Sequence, residues 1–145
     1  MRRLGLAVLF GLFVSFLPDT SEAGTLRLGV GANYWFAERA YFDGTIGYEA
    51  NLLPILSVGA RGGVLLVTGP ARAGFETDLV VRIMPLPSFY IEGLAGPWFL
   101  INNGDSIRAH AAIGLGLQVG PIGFGVEAGY LDPDPIVGAR LGLRL

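Results

Sequence analysis

The chain is 145 residues long, enough for one domain, and it carries a formal net charge of −2 with no lysine and no cysteine. Apolar residues make up 52% of the sequence and charged residues 15%, and the mean hydropathy is +0.55. These values exclude an intrinsically disordered chain, a strongly basic nucleic-acid binder, and disulfides, thiolate metal sites and thiol catalysis. They also leave little charge to cover the surface of a soluble protein.

Residues 1–23 are predicted to be a cleaved secretory signal peptide. Two arginines precede an apolar run from Leu4 to Leu17, and the polar segment that follows ends on small residues, Ser21 and Ala23. A membrane-spanning helix is the alternative, but it needs about 20 apolar residues. The mature chain is then predicted to be one β-barrel domain, residues 24–145, exported across a bacterial inner membrane.

Beyond residue 24 the apolar residues recur at every second position, which predicts strands rather than helices. The alternation is clearest over 107–119, where every odd position is Ile, Ala, Leu or Val and the even positions include Arg108, His110 and Gln118. Glycine and proline clusters divide the chain into segments. Eight strands are therefore predicted, in chain order at 25–36, 45–52, 55–67, 75–84, 88–100, 107–119, 122–131 and 136–145.

The predicted connections alternate in length. With the amino terminus in the periplasm, the outer loops are longer than the inner turns, as is typical of outer-membrane barrels. The strand lengths also match a tilted transmembrane strand of about 9–11 residues. The predicted outer loops are 37–44, 68–74, 101–106 and 132–135, and the predicted inner turns are 53–54, 85–87 and 120–121.

One face of the predicted strands is almost wholly apolar, and the other carries glycines and charges of nearly balanced sign. Small residues suit a crowded interior, so the apolar face is predicted to contact lipid and the polar face to line the lumen. A sheet cannot leave open edges in hydrocarbon, so it must close into a barrel. The alternative is a soluble periplasmic lipocalin-like barrel that binds a small apolar ligand.

In its strand number, its alternation and its last strand, from Ile136 to Leu145, the sequence resembles the small eight-stranded outer-membrane barrels of the OmpA and OmpX type. The resemblance implies an all-β, antiparallel, up-and-down transmembrane barrel with an envelope-structural or narrow-pore role and no enzymatic activity. It implies outer-membrane lipid, periplasmic chaperones and the barrel-assembly machinery as partners of a monomer without cofactor, metal or nucleic acid. Such families usually end on an aromatic residue, whereas this chain ends on Leu145.

The lumen of an eight-stranded barrel is just wide enough for side chains to fill it, so charges there must be paired. A lumen charge network is predicted from Glu49, Arg61, Glu76, Asp78, Arg82, Glu92, Arg108, Glu127, Arg140 and Arg144. The predicted hairpins place Glu127 opposite Arg140, Arg82 opposite Glu92, and Glu49 diagonal to Arg61. The lumen is expected to be closed by salt bridges. A narrow gated ion path is the alternative, because the inward glycines leave unfilled volume.

Apolar residues are predicted to point inward near the outer end of the barrel, and they form either a stopper or a mouth for a small apolar molecule. They are Trp35, Leu65, Val67, Trp98, Leu131 and Ile136.

His110 is the single histidine. A hydrolase-like group with Asp105 and Ser106 is one interpretation of it, but a hydrogen-bonding role in the lumen is favoured. Glu76 and Asp78 are expected to neutralise lumen arginines.

Overall fold

The computed structural model describes residues 24–36, 40–69, 72–101 and 107–145. The strands are β1 (Thr25–Trp35), β2 (Ala40–Leu53), β3 (Leu56–Val67), β4 (Arg72–Leu86), β5 (Phe89–Ile101), β6 (Ile107–Val119), β7 (Ile122–Leu131) and β8 (Asp134–Arg144). Each strand pairs antiparallel with its neighbour in sequence, and β8 pairs with β1, so the sheet is a closed up-and-down barrel. The predicted fold class is confirmed.

The predicted signal peptide, residues 1–23, lies outside the described residues. Within the described ranges, no helix has the length and apolar character to cross a membrane.

Three strands are longer than the alternation predicted, and three outer connections are correspondingly shorter. β2 begins at Ala40 rather than at 45, β4 spans 72–86 rather than 75–84, and β8 begins at Asp134 rather than at 136. The predictions ended these strands early because glycine and proline residues there are typical of turns. In the structure the strand pairing continues through these residues: Asp43, which precedes a glycine, pairs with both Gly31 and Leu65. Tertiary pairing therefore overrides the turn preference of these residues.

The two ends of the barrel differ. The turn end holds the start of β1, the end of β8 and the two-residue turns at 54–55, 87–88 and 120–121, and the loop end holds the other four connections. At the turn between β6 and β7, Gly120 has a φ of +58°, which favours glycine. The Gln118 side-chain amide donates a 2.9 Å hydrogen bond to the Gly120 carbonyl. This arrangement supports a tight turn.

The apolar face of every strand lies on the outside of the barrel. On β6, for example, Leu115 is 45% exposed and Gln118 only 6%. The outward aromatic side chains of Tyr34, Phe75 and Tyr130 lie near the loop end, and that of Phe124 lies towards the turn end. The fold therefore turns the apolar face outward and the charged residues and glycines towards the lumen, as predicted.

Candidate functional site in the barrel lumen

A lower ion-pair layer crosses the lumen towards the turn end. Arg82 lies 2.6 Å from Glu92, directly opposite it on the neighbouring strand as predicted, and 3.2 Å from Glu49. Glu49 also lies 3.0 Å from Arg27 and accepts a 3.1 Å hydrogen bond from the Ser57 hydroxyl. Glu49 is diagonal to Arg61 in register, as predicted, but its ion pairs are with these two other arginines. The layer joins β1, β2, β3, β4 and β5.

An upper ion-pair layer lies closer to the loop end and is built on two arginines. Arg61 lies 3.1 Å from Asp78 and 3.9 Å from Glu127. Arg140 lies 3.3 Å from Asp43 and 3.4 Å from Glu127. Glu127 therefore lies between both arginines, and the layer links β2, β3, β4, β7 and β8.

The predicted register of the last hairpin was wrong by two residues. Glu127 is opposite Gly138, and Arg140 is opposite Gly125, so the two charges are diagonal rather than facing. The register differs from the prediction because the connection between β7 and β8 consists of residues 132–133 rather than 132–135. The long arginine side chain spans the offset, so the ion pair is kept.

Asp43 was predicted to lie in a loop, and sequence reasoning missed it as a lumen residue. It is 6% exposed and accepts a 2.6 Å hydrogen bond from the Asn33 side-chain amide. The available signal was the two-residue period of Glu49, Gly47 and Thr45, which continues to Asp43. The adjacent Gly44 suggested a turn and hid this signal.

Three predicted members of the network belong to neither layer. Glu76 has no ion pair with an arginine among the described residues, contrary to prediction, and the other two lie at the ends of the barrel. Arg108 is at the loop end, 3.9 Å from Asp132, with its guanidinium carbon 6.0 Å from the centre of the Trp35 ring. Arg144 is exposed at the turn end, opposite Arg27 in the sheet. The buried network is therefore shorter along the barrel axis than predicted.

His110 is buried in the lumen and hydrogen-bonded, as favoured from the sequence. Its Nδ1 lies 2.7 Å from Asp78 Oδ1, and the Trp98 indole N–H donates to the same oxygen over 3.2 Å. The Trp98 and His110 rings lie 4.3 Å apart between centroids. The other members of the hydrolase-like group, Asp105 and Ser106, lie outside the described residues. Asp78 orients the imidazole instead.

The predicted inward apolar residues form one buried cluster near the loop end, which we call the apolar plug. Its members are Trp35, Tyr41, Leu65, Val67, Trp98, Leu100, Leu131 and Ile136. Trp35 is 1% and Trp98 0% exposed. The Trp35 indole N–H donates a 2.8 Å hydrogen bond to the Leu131 carbonyl, and Tyr41 packs edge-on against Trp98 with 5.6 Å between ring centroids. Within the described part of the chain these side chains pack against one another, an arrangement that favours the stopper over the mouth.

Several inward glycines make room for a side chain from a neighbouring strand, which reduces the unfilled volume that the ion-path alternative requires. A Cβ on Gly114, for instance, would lie 2.8 Å from Glu92 Cγ. Gly116 and Gly125 accommodate the ring of Tyr90 in the same way. A cavity of about 50 Å³ remains between the two layers. It is lined by polar residues that include Arg27, Arg61, Arg82, Arg140, Glu49 and Glu92.

The described residues contain no group of three or more His, Cys, Asp or Glu side chains placed to hold a metal ion. What the lumen offers chemically is ion pairing and hydrogen bonding behind an apolar plug.

No known family profile matches the sequence, and no curated protein matches it. Solved eight-stranded barrels do match it. A de novo designed transmembrane β-barrel aligns with a TM-score of 0.64 and 20% identity over 86% of this chain and 98% of the designed chain. The outer membrane enzyme PagL aligns with a TM-score of 0.57 and 15% identity over 82% and 98%. Ail, the attachment invasion locus protein of Yersinia pestis, aligns with a TM-score of 0.52 and 13% identity over 85% and 99%.

These likenesses confirm the predicted resemblance at the level of fold. At identities this low they do not carry over an activity, and the three neighbours differ in kind: one is a design, one an enzyme and one an attachment protein.

Proposed function

We propose that this protein is an integral barrel of the bacterial outer membrane with a structural, non-catalytic role in the envelope and a lumen closed by ion pairs. The observation that carries the proposal is the double closure of the lumen. Two layers of buried ion pairs cross it, and the apolar plug covers them at the loop end. Outer-membrane lipid, periplasmic chaperones and the assembly machinery are the proposed partners of a monomer.

The exterior supports the membrane placement. Large apolar side chains such as Leu79, Leu115 and Leu141 are 45–52% exposed around the barrel. A soluble protein rarely exposes a continuous apolar surface of this kind, whereas a transmembrane barrel needs an apolar outer band. The lipocalin-like alternative needs the reverse arrangement and an apolar cavity. The lumen cavity is small and lined by arginines, which argues against that alternative.

The position of His110 supports a role without catalysis. His110 and Asp78 are each 3% exposed and lie beneath the apolar plug, where Trp98 covers them. A hydrolytic site must bring its substrate to within hydrogen-bonding distance of the histidine. A lipid or other large substrate has no route to this histidine while the plug is closed.

Replacing Leu115 with arginine is expected to lower the free energy of unfolding by about 2–4 kcal/mol, because it places a charge near the middle of the lipid-facing band. Urea-induced unfolding in lipid vesicles measures the loss. Leu115→Ile is the matched control, expected to change stability by less than about 1.5 kcal/mol. An L115R protein as stable as the control would show that this face contacts water, and the soluble alternative would then lead.

In a planar lipid bilayer the folded protein is expected to show no stable channel openings, because arginine pairs and the apolar plug fill its lumen. Single-channel recording measures this, and sugar uptake by liposomes that contain the protein is the complementary assay. Stable openings of porin size, or sugar uptake, would overturn the closed-lumen proposal. Brief small currents that increase when Arg140 and Glu127 are both shortened would instead indicate a gate at this ion pair.

A further inference from the structure

Glu76 is a buried carboxylate without a partner in the described part of the chain. It lies on β4 directly beneath the apolar plug and is 1% exposed, and neither carboxylate oxygen has a hydrogen-bond partner among the described residues. Its cross-strand neighbours are Gly63 and Trp98. Gly63 has no side chain, and the Trp98 indole N–H is already donated to Asp78. The carboxylate occupies the space that Gly63 leaves, since a Cβ there would lie 3.1 Å from Glu76 Oε1.

The surroundings of Glu76 contain more acid than base. Glu76 and the three carboxylates of the upper layer face only two arginines, and between them these arginines already contact the three carboxylates of the layer. The imidazole of His110 is turned towards Asp78. The titratable and charged groups that face this part of the lumen are Tyr41 and Asp43 on β2, Arg61 on β3, Asp78 on β4, His110 on β6, Glu127 on β7 and Arg140 on β8. The negative charge of Glu76 is left without an ion pair.

Tyr41 provides a second, independent observation. It is 0% exposed, its hydroxyl has no hydrogen-bond partner among the described residues, and its ring packs edge-on against Trp98, the cross-strand neighbour of Glu76. The neutral hydroxyl oxygen of Tyr41 and the unpaired carboxylate of Glu76 therefore lie in the same buried region. Transfer of an ionised carboxylate to such a region costs far more free energy than folding can supply unless its charge is compensated.

We propose that Glu76 is a cation-binding site of the lumen, at which a singly charged cation, either a proton or an alkali-metal ion, neutralises the carboxylate and the Tyr41 hydroxyl serves as a second oxygen ligand. A singly charged cation fits because Glu76 is the one carboxylate of the four without an arginine contact. A bare divalent ion prefers several carboxylate or carbonyl oxygens, and the described part of the chain groups no three acidic or histidine side chains for it. The proposal does not depend on whether the lumen conducts.

The experiment compares the wild-type protein with Glu76→Gln, folded in lipid vesicles. Glutamine keeps the shape and removes the charge, so E76Q is expected to unfold at the same urea concentration as the wild type or at a higher one. Glu92→Gln is the matched control. Glu92 is a buried carboxylate 2.6 Å from Arg82, so E92Q is expected to unfold at a lower urea concentration.

Two measurements on the wild type distinguish the two cations. A bound proton gives the infrared carbonyl-stretch band of a neutral carboxylic acid, and that band disappears in E76Q but not in E92Q. A bound alkali-metal ion gives no such band. Instead, the urea midpoint of the wild type falls when sodium and potassium are replaced by N-methylglucamine at equal ionic strength, and the midpoint of E76Q does not.

Either result supports the proposal. A wild-type protein that shows neither the band nor the ion dependence overturns it, whatever E76Q does to stability. An E76Q protein destabilised as strongly as E92Q would show that Glu76 is an ordinary ion-paired carboxylate and would also overturn it. None of these measurements uses channel activity, so failure here is distinct from failure of the proposed closed-lumen role.

Discussion

Replacing Arg140 with methionine is expected to lower the free energy of unfolding by about 3–5 kcal/mol, because removing one partner of a buried pair leaves the other charge uncompensated. Arg140 contacts Asp43 at 3.3 Å and Glu127 at 3.4 Å, and it donates a 3.3 Å hydrogen bond to the Thr45 hydroxyl. Asp43 has no second ion pair among the described residues, whereas Glu127 retains Arg61 at 3.9 Å. Urea-induced unfolding in lipid vesicles measures the loss.

A double-mutant cycle tests whether this loss comes from the ion pairs. Combining Arg140→Met with Asp43→Asn is expected to recover part of the stability, because the uncompensated charge is removed. Strictly additive losses would contradict the pairing. The matched control is Arg144→Met on the same strand. Arg144 is exposed at the turn end, so this change is expected to alter stability by no more than about 0.5 kcal/mol.

Replacing Trp98 with alanine is expected to cost about 3–5 kcal/mol, the usual range for truncating a fully buried tryptophan. Trp98 is 0% exposed. It packs edge-on against Tyr41, its ring also packs at a tilt against the His110 ring, and its indole N–H donates to Asp78. The truncation removes a central member of the apolar plug and leaves a cavity above the upper ion-pair layer. Brief ion currents are therefore expected in a planar bilayer, where the wild type is expected to show no stable openings.

Trp98→Phe separates packing from hydrogen bonding. Phenylalanine keeps most of the apolar contact but has no donor for Asp78, so a smaller loss of about 1–3 kcal/mol is expected, with the barrel still closed to ions.

If W98A is as stable as the wild type, the plug does not contribute packing energy and the account of closure at the loop end is wrong. If W98A is unstable but remains electrically silent, the ion-pair layers alone close the lumen.

Much of this barrel was predictable because its main signal is local. The two-residue period over 107–119 reproduces β6 without error, and the same period assigns Leu115 to the outside and Gln118 to the lumen. The apolar plug was also predicted, since Trp35 and Trp98 share the inward parity of their strands. Prediction failed where turn preference and strand period disagreed. Asp43 was placed in a loop because a glycine follows it, although pairing with β1 and β3 keeps it in the sheet.

The sequence by itself determined the number of strands, the closed antiparallel topology and which face of each strand is turned outward, because these follow from a period that neighbouring residues display. The tertiary structure decided which charges meet. Arg140 reaches Thr45, a residue 95 positions away, only because the barrel closes β8 against β1. The space beside Gly125 is filled by Tyr90 of another strand, and Glu76 has no hydrogen-bond partner among the described residues although the carboxylates of the upper layer contact arginines. These outcomes depend on strand register and on the reach of side chains across the lumen, as the diagonal pair of Glu127 and Arg140 illustrates.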